Sequence, residues 1–140
     1  MVSSIVPPIT VLLIDDEAQF RETMGKRLRK RSFLVHQAGS GAEGLGILHA
    51  THVDVVVLDV RMPGMDGLQT LREIRMAFPQ IPVVMLTGHG DSDAVISGMS
   101  MGAFEYLAKP ADLSELITAI RAAVTWSKRG RGKSGQPATS

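Results

Sequence analysis

Five polar residues of this 140-residue sequence follow short apolar runs: Asp15, Asp16, Asp59, Thr87 and Lys109. Carboxylates that lie close together repel one another and raise each other's pKa unless a cation sits among them. Oxygen ligands with open positions suit Mg²⁺, which usually takes one or two carboxylates plus a phosphate. Asp59 could then attack phosphorus as a carboxylate nucleophile, while Lys109 and Thr87 stabilise charge on the transferred group. These residue types predict a phosphoryl-transfer site that forms an aspartyl phosphate on Asp59.

The elements that must position these side chains are readable from hydrophobic periodicity. Short apolar runs typical of buried strands occupy residues 10–14, 33–38, 55–58, 81–86 and 104–108. Segments with helical spacing of apolar residues follow each run, and the segment 93–101 has the lowest helix propensity among them. Strands that alternate with helices predict an α/β fold with a doubly wound parallel sheet, in which ligands bind outside the carboxyl ends of the strands. The five polar residues are therefore expected to converge at one edge of the sheet.

Composition favours one small domain. The sequence is 44% hydrophobic and lacks cysteine, which excludes disulfides, thiol catalysis and thiolate metal sites. Its N-terminus has no basic leader segment, and no apolar run approaches the roughly 20 residues of a membrane span. A cytoplasmic protein without membrane contact is expected.

Charge and composition also predict the domain limits. Four of the 15 basic residues follow residue 127 and all 14 acidic residues precede it, so residues 1–127 carry a formal charge of −3. We expect an N-terminal extension over residues 1–9, one folded domain over residues 10–126, and a disordered tail over residues 127–140. The tail is basic and rich in Gly and Ser, as in a natural tail, a truncated linker or a cloning remnant.

The stretch 39–44 has two interpretations. Its spacing, G-x-G-x-x-G, matches a dinucleotide fingerprint and supports a nucleotide-binding flavodoxin-like module. However, it follows the second strand, and Ser40 with Glu43 explains it as a helix capping box. We favour the capping box.

Five marks, in order, make the chain similar to a known family. They are Asp15-Asp16, the segment VVVLDVRMPGMDG that holds Asp59, Thr87-Gly88, GAFEYLAKP with Tyr106, and Lys109-Pro110. Over about residues 10–124 the sequence resembles the receiver domain of bacterial two-component response regulators. The resemblance implies a flavodoxin-like (βα)5 fold with strand order 2-1-3-4-5.

The resemblance also implies roles for individual residues. Asp59 would accept a phosphoryl group from a sensor histidine kinase or phosphotransfer protein. Asp16, Asp59 and the backbone carbonyl of Arg61 would ligate Mg²⁺, for which Mn²⁺ could substitute, and Asp15 would act through water. The Lys109–Pro110 peptide bond would be cis. The domain would be a phosphoacceptor in signalling rather than an enzyme, with only self-phosphorylation and autodephosphorylation chemistry.

A switching mechanism follows from the same resemblance. A phosphoryl group on Asp59 adds charge and acceptor oxygens that could draw Thr87 inward, and Tyr106 would fill the vacated space. The face made by the fourth helix, fifth strand and fifth helix would change shape and control a partner, an output domain or a homodimer. Nucleic acid is not expected to bind this domain itself.

Arg61 and His89 depart from the shared pattern. Arg61 lies two residues after Asp59, and His89 lies two residues after Thr87. We expect both side chains to tune the lifetime of the phosphorylated state, and the alternative is that they point into solvent.

Two further functions are alternatives to the switch. An aspartate-nucleophile phosphatase of the haloacid dehalogenase type needs a second acid two residues after the nucleophile, where this chain has Arg61. A non-phosphorylated adaptor would not need the complete set of acids, threonine and lysine. Both are less consistent with the sequence than the phosphorylated switch.

Overall fold

The computed structural model describes residues 7–62, 67–88 and 90–132, with side chains through residue 130. The sheet contains five strands: β1 (Thr10–Ile14), β2 (Leu34–Ala38), β3 (Val55–Asp59), β4 (Val83–Thr87) and β5 (Glu105–Ala108). The helices alternate with them: α1 (Ala18–Lys30), α2 (Gly41–Ala50), α3 (Gly67–Ala77), α4 (Ser92–Ser100) and α5 (Leu113–Gly132). All strand pairs are parallel and their order is β2-β1-β3-β4-β5. This confirms the expected fold class and strand order.

The sheet is covered on both faces because alternate residues of its strands point to opposite sides. Val11, Val57 and Leu86 belong to the apolar cluster under α1 and α5. Their neighbours Leu12 and Leu58 belong to the cluster on the opposite face, under α2 and α3. The three central strands are buried at every position, whereas β2 and β5 lie at the edges and are partly exposed. The exposed residues of β2 are therefore explained by its edge position.

The glycine-rich stretch at the start of α2 is a capping structure. The hydroxyl of Ser40 accepts a hydrogen bond from the Glu43 backbone N–H at 3.1 Å, and the Glu43 carboxylate accepts one from Gly39 at 2.7 Å. Gly44 lies against the sheet, since a Cβ there would be 2.4 Å from Cδ1 of Ile14. The capping-box interpretation is confirmed.

The predicted disorder beyond residue 126 is wrong for residues 127–132, which continue α5. The Ser127 hydroxyl is buried and donates to the carbonyl of Gln80 at 2.7 Å, while the Trp126 ring lies 5.6 Å from that of Phe104. Extending a formed helix adds hydrogen bonds without a new nucleation cost, and cations are favourable near its C-terminus. Residues 133–140 lie outside the described part of the chain, and the domain limit at residue 9 stays a prediction. Among the described helices, none has the length and apolar character that a membrane crossing needs.

Gly67 is the first residue of α3 and packs directly on the chain that leaves β3. A Cβ at this position would lie 2.1 Å from Cα of Val60 and 2.6 Å from the carbonyl oxygen of Asp59. Because both are backbone atoms, they cannot move aside without shifting the strand end. We expect Gly67→Ala to lower the free energy of unfolding by about 3 kcal/mol or more.

Gly46→Ala is the matched control in urea unfolding. Gly46 is an exposed interior residue of α2 with open space around its missing Cβ, so alanine should raise stability by about 0.5–1 kcal/mol. Equal midpoints for the two variants would contradict the packing described for Gly67.

Candidate functional site

The carboxyl ends of four strands bring the predicted polar residues to one edge of the sheet. Asp15 follows β1, Asp59 ends β3, Thr87 ends β4 and Lys109 follows β5. The register pairs Asp59 with Leu86 and Thr87 with Ala108, so these ends lie at nearly the same height. A cavity of about 380 Å³ opens at this edge, lined by Asp16, Glu17, Asp59, Arg61, Gly88 and Lys109.

Lys109 occupies the centre of the acidic cluster. Its Nζ lies 2.6 Å from Oε1 of Glu17, 2.8 Å from Oδ2 of Asp15 and 3.4 Å from Oδ2 of Asp59. The ammonium also lies 4.4 Å from the ring centroid of Phe20 in α1, and this cation–π contact helps to hold the ammonium in position. One cation is therefore shared by three carboxylates and reduces the repulsion among them. The Lys109–Pro110 peptide bond is cis, as expected.

Glu17 is a site residue that the sequence analysis missed. It is the N-cap residue of α1, and its carboxylate reaches across to Lys109, 92 positions later in the chain. Lys109 lowers the pKa of the Glu17 carboxyl through this hydrogen bond and its charge. The signal was the unbroken acidic run Asp15-Asp16-Glu17 after β1.

The environment of Asp59 makes its carboxyl unusual. The residue is 4% exposed, and this burial raises the pKa of its carboxyl to about 6. The neighbouring Asp15 carboxylate acts in the same direction, while the Arg61 backbone N–H, which donates to Oδ1 at 3.0 Å, and Lys109 oppose it. Burial by itself would lower the pKa of Lys109, but its ion pairs with Asp15 and Glu17 raise it. The site thus combines a costly buried carboxylate with a firmly protonated lysine.

The acidic cluster has the donor set of a divalent cation site. Within the described residues, carboxylate oxygens of Asp15, Glu17 and Asp59 all lie within 4.8 Å of one another. Oδ2 of Asp15 is buried and, besides its ion pair, accepts no well-aligned hydrogen bond from the described part of the chain. A set of ligands made only of oxygen atoms fits a hard cation, and so does the Asp15 Oδ2 atom that accepts no well-aligned hydrogen bond from the described residues. Asp16 lines the cavity but is exposed and lies outside this cluster, so its role as a metal ligand stays a prediction, as does that of the Arg61 carbonyl.

Thr87 and Tyr106 are in different environments. Thr87 is buried, and its hydroxyl donates a long hydrogen bond of 3.5 Å to the carbonyl of Leu107. Tyr106 is 42% exposed and pairs in register with Met85, two residues before Thr87. Their coupled movement stays a prediction, and the Tyr106 ring lies outward in this structure.

Arg61 lines the cavity together with Gly88. Its Nε lies 3.6 Å from Oδ2 of Asp91, and the same oxygen accepts a hydrogen bond of 2.7 Å from the Gly88 backbone N–H. His89, the other residue predicted to tune the phosphoryl lifetime, lies outside the described residues.

The five-stranded doubly wound sheet, with a lysine held among carboxylates at its carboxyl edge, has the architecture of a signalling receiver domain. The model of the response regulator receiver domain family matches residues 11–121, and the chain belongs to this family. Response regulator receiver domains act in two-component signal transduction. The resemblance seen in the sequence is confirmed.

Similar proteins include longer bacterial regulators. The DNA-binding transcriptional regulator NtrC of Escherichia coli (strain K12) is 36% identical over 115 residues, which is 82% of this chain and 24% of NtrC. The transcriptional regulatory protein GlrR of the same strain is 40% identical over 113 residues, which is 81% of this chain and 26% of GlrR. The chain therefore spans about a quarter of the length of these curated relatives.

Solved structures agree with this assignment. The response regulator receiver domain protein of Clostridium thermocellum superposes with a TM-score of 0.82 at 39% sequence identity. The match covers 86% of this chain and 97% of the Clostridium chain. NtrX of Brucella abortus, in complex with ADP, superposes with a TM-score of 0.86 at 29% sequence identity. The match covers 95% of this chain and 31% of the NtrX chain.

Proposed function

We propose that this domain is a phosphorylation-dependent switch in which Asp59 accepts a phosphoryl group from a sensor histidine kinase or phosphotransfer protein. The observation that carries the proposal is the Asp59 carboxylate itself. It is buried from bulk solvent, borders a cavity large enough for a phosphoryl group, and has the Lys109 ammonium 3.4 Å from one oxygen.

The transfer exchanges one bond to phosphorus for another. The P–N bond of a phosphohistidine breaks, its electron pair returns to the imidazole nitrogen, and a P–O bond forms to a carboxylate oxygen of Asp59. Hydrolysis later breaks that P–O bond, with water attacking phosphorus, and returns the carboxylate and inorganic phosphate. In this proposal Lys109, which lies 3.4 Å from Asp59, binds an oxygen of the transferred group, and Thr87 donates to another oxygen after its hydroxyl leaves the Leu107 carbonyl.

The acidic residues support a cation requirement. Asp15, Glu17 and Asp59 would hold Mg²⁺, with Asp16 and the Arg61 carbonyl as further candidates. When bound, the ion supplies positive charge that offsets the carboxylates and the incoming phosphoryl group. Among the described residues, the Lys109 ammonium lies 2.8 Å from Asp15 and 3.4 Å from Asp59 and offsets part of their negative charge.

The output surface is proposed to be the face formed by α4, β5 and α5. Ile96, Met99 and Tyr106 expose apolar surface on α4 and β5, and Trp126 exposes it on α5. Contact surfaces of this kind suit a partner protein, an output domain or a second copy of the chain. The similarity to NtrC and GlrR, which are transcriptional regulators, supports a transcriptional output in a longer regulator. The cytoplasm is the proposed location.

The test is labelling of the purified chain with acetyl phosphate. We expect an acyl phosphate that forms with Mg²⁺ or Mn²⁺, does not form when a chelator is present during the reaction, and is cleaved by hydroxylamine. An adaptor would take up no label under any condition. Repeated turnover of phosphate monoesters would instead indicate a phosphatase, and either result would overturn the switch.

A further inference from the structure

Asp91 contacts two groups that border the acceptor cavity. Its Oδ2 accepts the Gly88 N–H at 2.7 Å and lies 3.6 Å from Nε of Arg61. Asp91 directly precedes α4 and occupies its N-cap position, yet its carboxylate caps none of the N–H groups of that helix in the described structure. Its side chain is turned away from the helix toward Arg61.

Gly88 provides the space for this pair. A Cβ at Gly88 would lie 2.9 Å from Nη1 of Arg61 and 3.3 Å from Oδ2 of Asp91. The guanidinium therefore lies over bare backbone between β4 and α4. The Arg61 side chain is 64% exposed and held on one side by Asp91, so it is free to swing about its flexible stem.

Arg61 also contacts the proposed phosphoacceptor, Asp59. Its backbone N–H donates to Oδ1 of Asp59, and Arg61, Asp59 and Gly88 line the same cavity. A phosphoryl group on Asp59 would bring about −1.5 to −2 charges and three acceptor oxygens into this cavity. A guanidinium matches phosphate oxygens with two parallel donors, and the phosphoryl charge exceeds that of Asp91.

We propose that Asp91 is a positioning residue that competes with the phosphoryl group for the Arg61 side chain. Arg61 pairs with Asp91 while Asp59 is unmodified and moves to the phosphoryl oxygens after transfer, where it hinders the approach of water. Because the pair with Asp91 holds Arg61 back, Asp91 shortens the lifetime of the phosphorylated state. The inference rests on the proposed phosphorylation of Asp59 and adds a residue that neither the sequence nor the family match assigned.

The exchange has a consequence for α4. Once Arg61 leaves, the Asp91 carboxylate has lost its cation and lies next to the unsatisfied N–H groups of the first turn of α4. Aspartate is a favoured N-cap residue and stabilises that end of a helix. The movement of one guanidinium would therefore transmit the phosphorylation of Asp59 to α4, part of the proposed output face.

The experiment is a double-mutant cycle on the half-life of the acyl phosphate after acetyl phosphate is removed, with Mg²⁺ held constant. Asp91→Asn keeps a carbonyl oxygen for the Gly88 N–H but removes the charge that holds Arg61. We expect it to lengthen the half-life about two- to fivefold, as suits loss of an exposed ion pair. Arg61→Gln should shorten the half-life, and Asp91→Asn should have no effect in the Arg61→Gln background.

Asp93→Asn is the matched control, because Asp93 is exposed in the first turn of the same helix and carries the same charge. An equal lengthening in Asp93→Asn, or an Asp91→Asn effect that persists in the Arg61→Gln background, would overturn the proposal. The proposal would also be overturned if the acyl phosphate of Arg61→Gln had the same half-life as that of wild type. This comparison does not depend on whether Asp91→Asn folds. In each case the wild-type label itself would still support the phosphorylated switch, whereas absence of label in wild type would contradict the proposed function.

Discussion

The Asp59→Asn variant is expected to incorporate no phosphoryl group and, without metal, to be more stable than the wild type at pH 7. Asparagine lacks the nucleophilic carboxylate oxygen but keeps a carbonyl that can accept the Arg61 N–H. It also removes a buried charge beside Asp15. We expect the free energy of unfolding to rise by about 1–3 kcal/mol at pH 7, less the contribution of the lost contact with Lys109.

The stability difference between Asp59→Asn and the wild type is expected to depend on pH. Burial raises the pKa of Asp59 in the folded protein to about 6, above its ordinary value of 3.8. A group of this kind favours folding fully below its unfolded pKa, and this contribution is lost as pH rises through the folded pKa. The advantage of Asp59→Asn should therefore be small at pH 4, grow between pH 4 and 6, and be complete by pH 7.

Urea unfolding in the presence of a chelator measures this difference. Asp93→Asn, which changes an exposed carboxylate, should keep the label and show little change in stability. Asp59→Asn that is labelled as well as wild type would contradict the role of Asp59. A stability difference that stayed constant from pH 4 to 7 would contradict the raised pKa of the Asp59 carboxyl.

The Lys109→Gln variant is expected to lose stability at neutral pH, because it removes the cation shared by Asp15, Glu17 and Asp59. The loss should be about 2–3 kcal/mol, below the range for a fully buried pair, since solvent still reaches the ammonium. Without the lysine, the carboxyls would bind protons more readily in the folded state. The deficit should therefore shrink as pH falls from 7 to 4.

Added Mg²⁺ separates this electrostatic role from packing. A divalent cation in the acidic cluster would replace the missing charge, so it should raise the melting temperature of Lys109→Gln more than that of wild type. Lys109→Arg, which keeps the charge, should lose less stability. Wild-type stability in Lys109→Gln, with an equal response to Mg²⁺, would show that Lys109 does not balance the cluster.

Much of the fold could be predicted because three of the four strands that carry the site, β1, β3 and β4, are central and mostly apolar. A parallel sheet brings the carboxyl ends of its strands to one edge, which places Asp15, Asp59 and Lys109 together. Local signals also sufficed for the cap at Ser40, where the two partners are three residues apart.

The remaining features depend on contacts between distant segments. Glu17 belongs to the site through Lys109, and Asp91 through the side chain of Arg61. Periodicity describes which face of an element is buried, but it does not show where long polar side chains from neighbouring loops meet. The extension of α5 was missed for a similar reason, since its glycine-rich composition suggested disorder while the buried Ser127 anchors it to Gln80.

The most direct test of the central claim is to locate the phosphoryl group on the chain. Reduction of the acyl phosphate with borohydride converts the modified aspartate to homoserine, which peptide mass spectrometry can identify. We predict homoserine at position 59 after treatment with acetyl phosphate and Mg²⁺, and none when the ion is chelated. Homoserine at position 15 or 16, or at no position, would contradict the assignment of Asp59 as the phosphoacceptor.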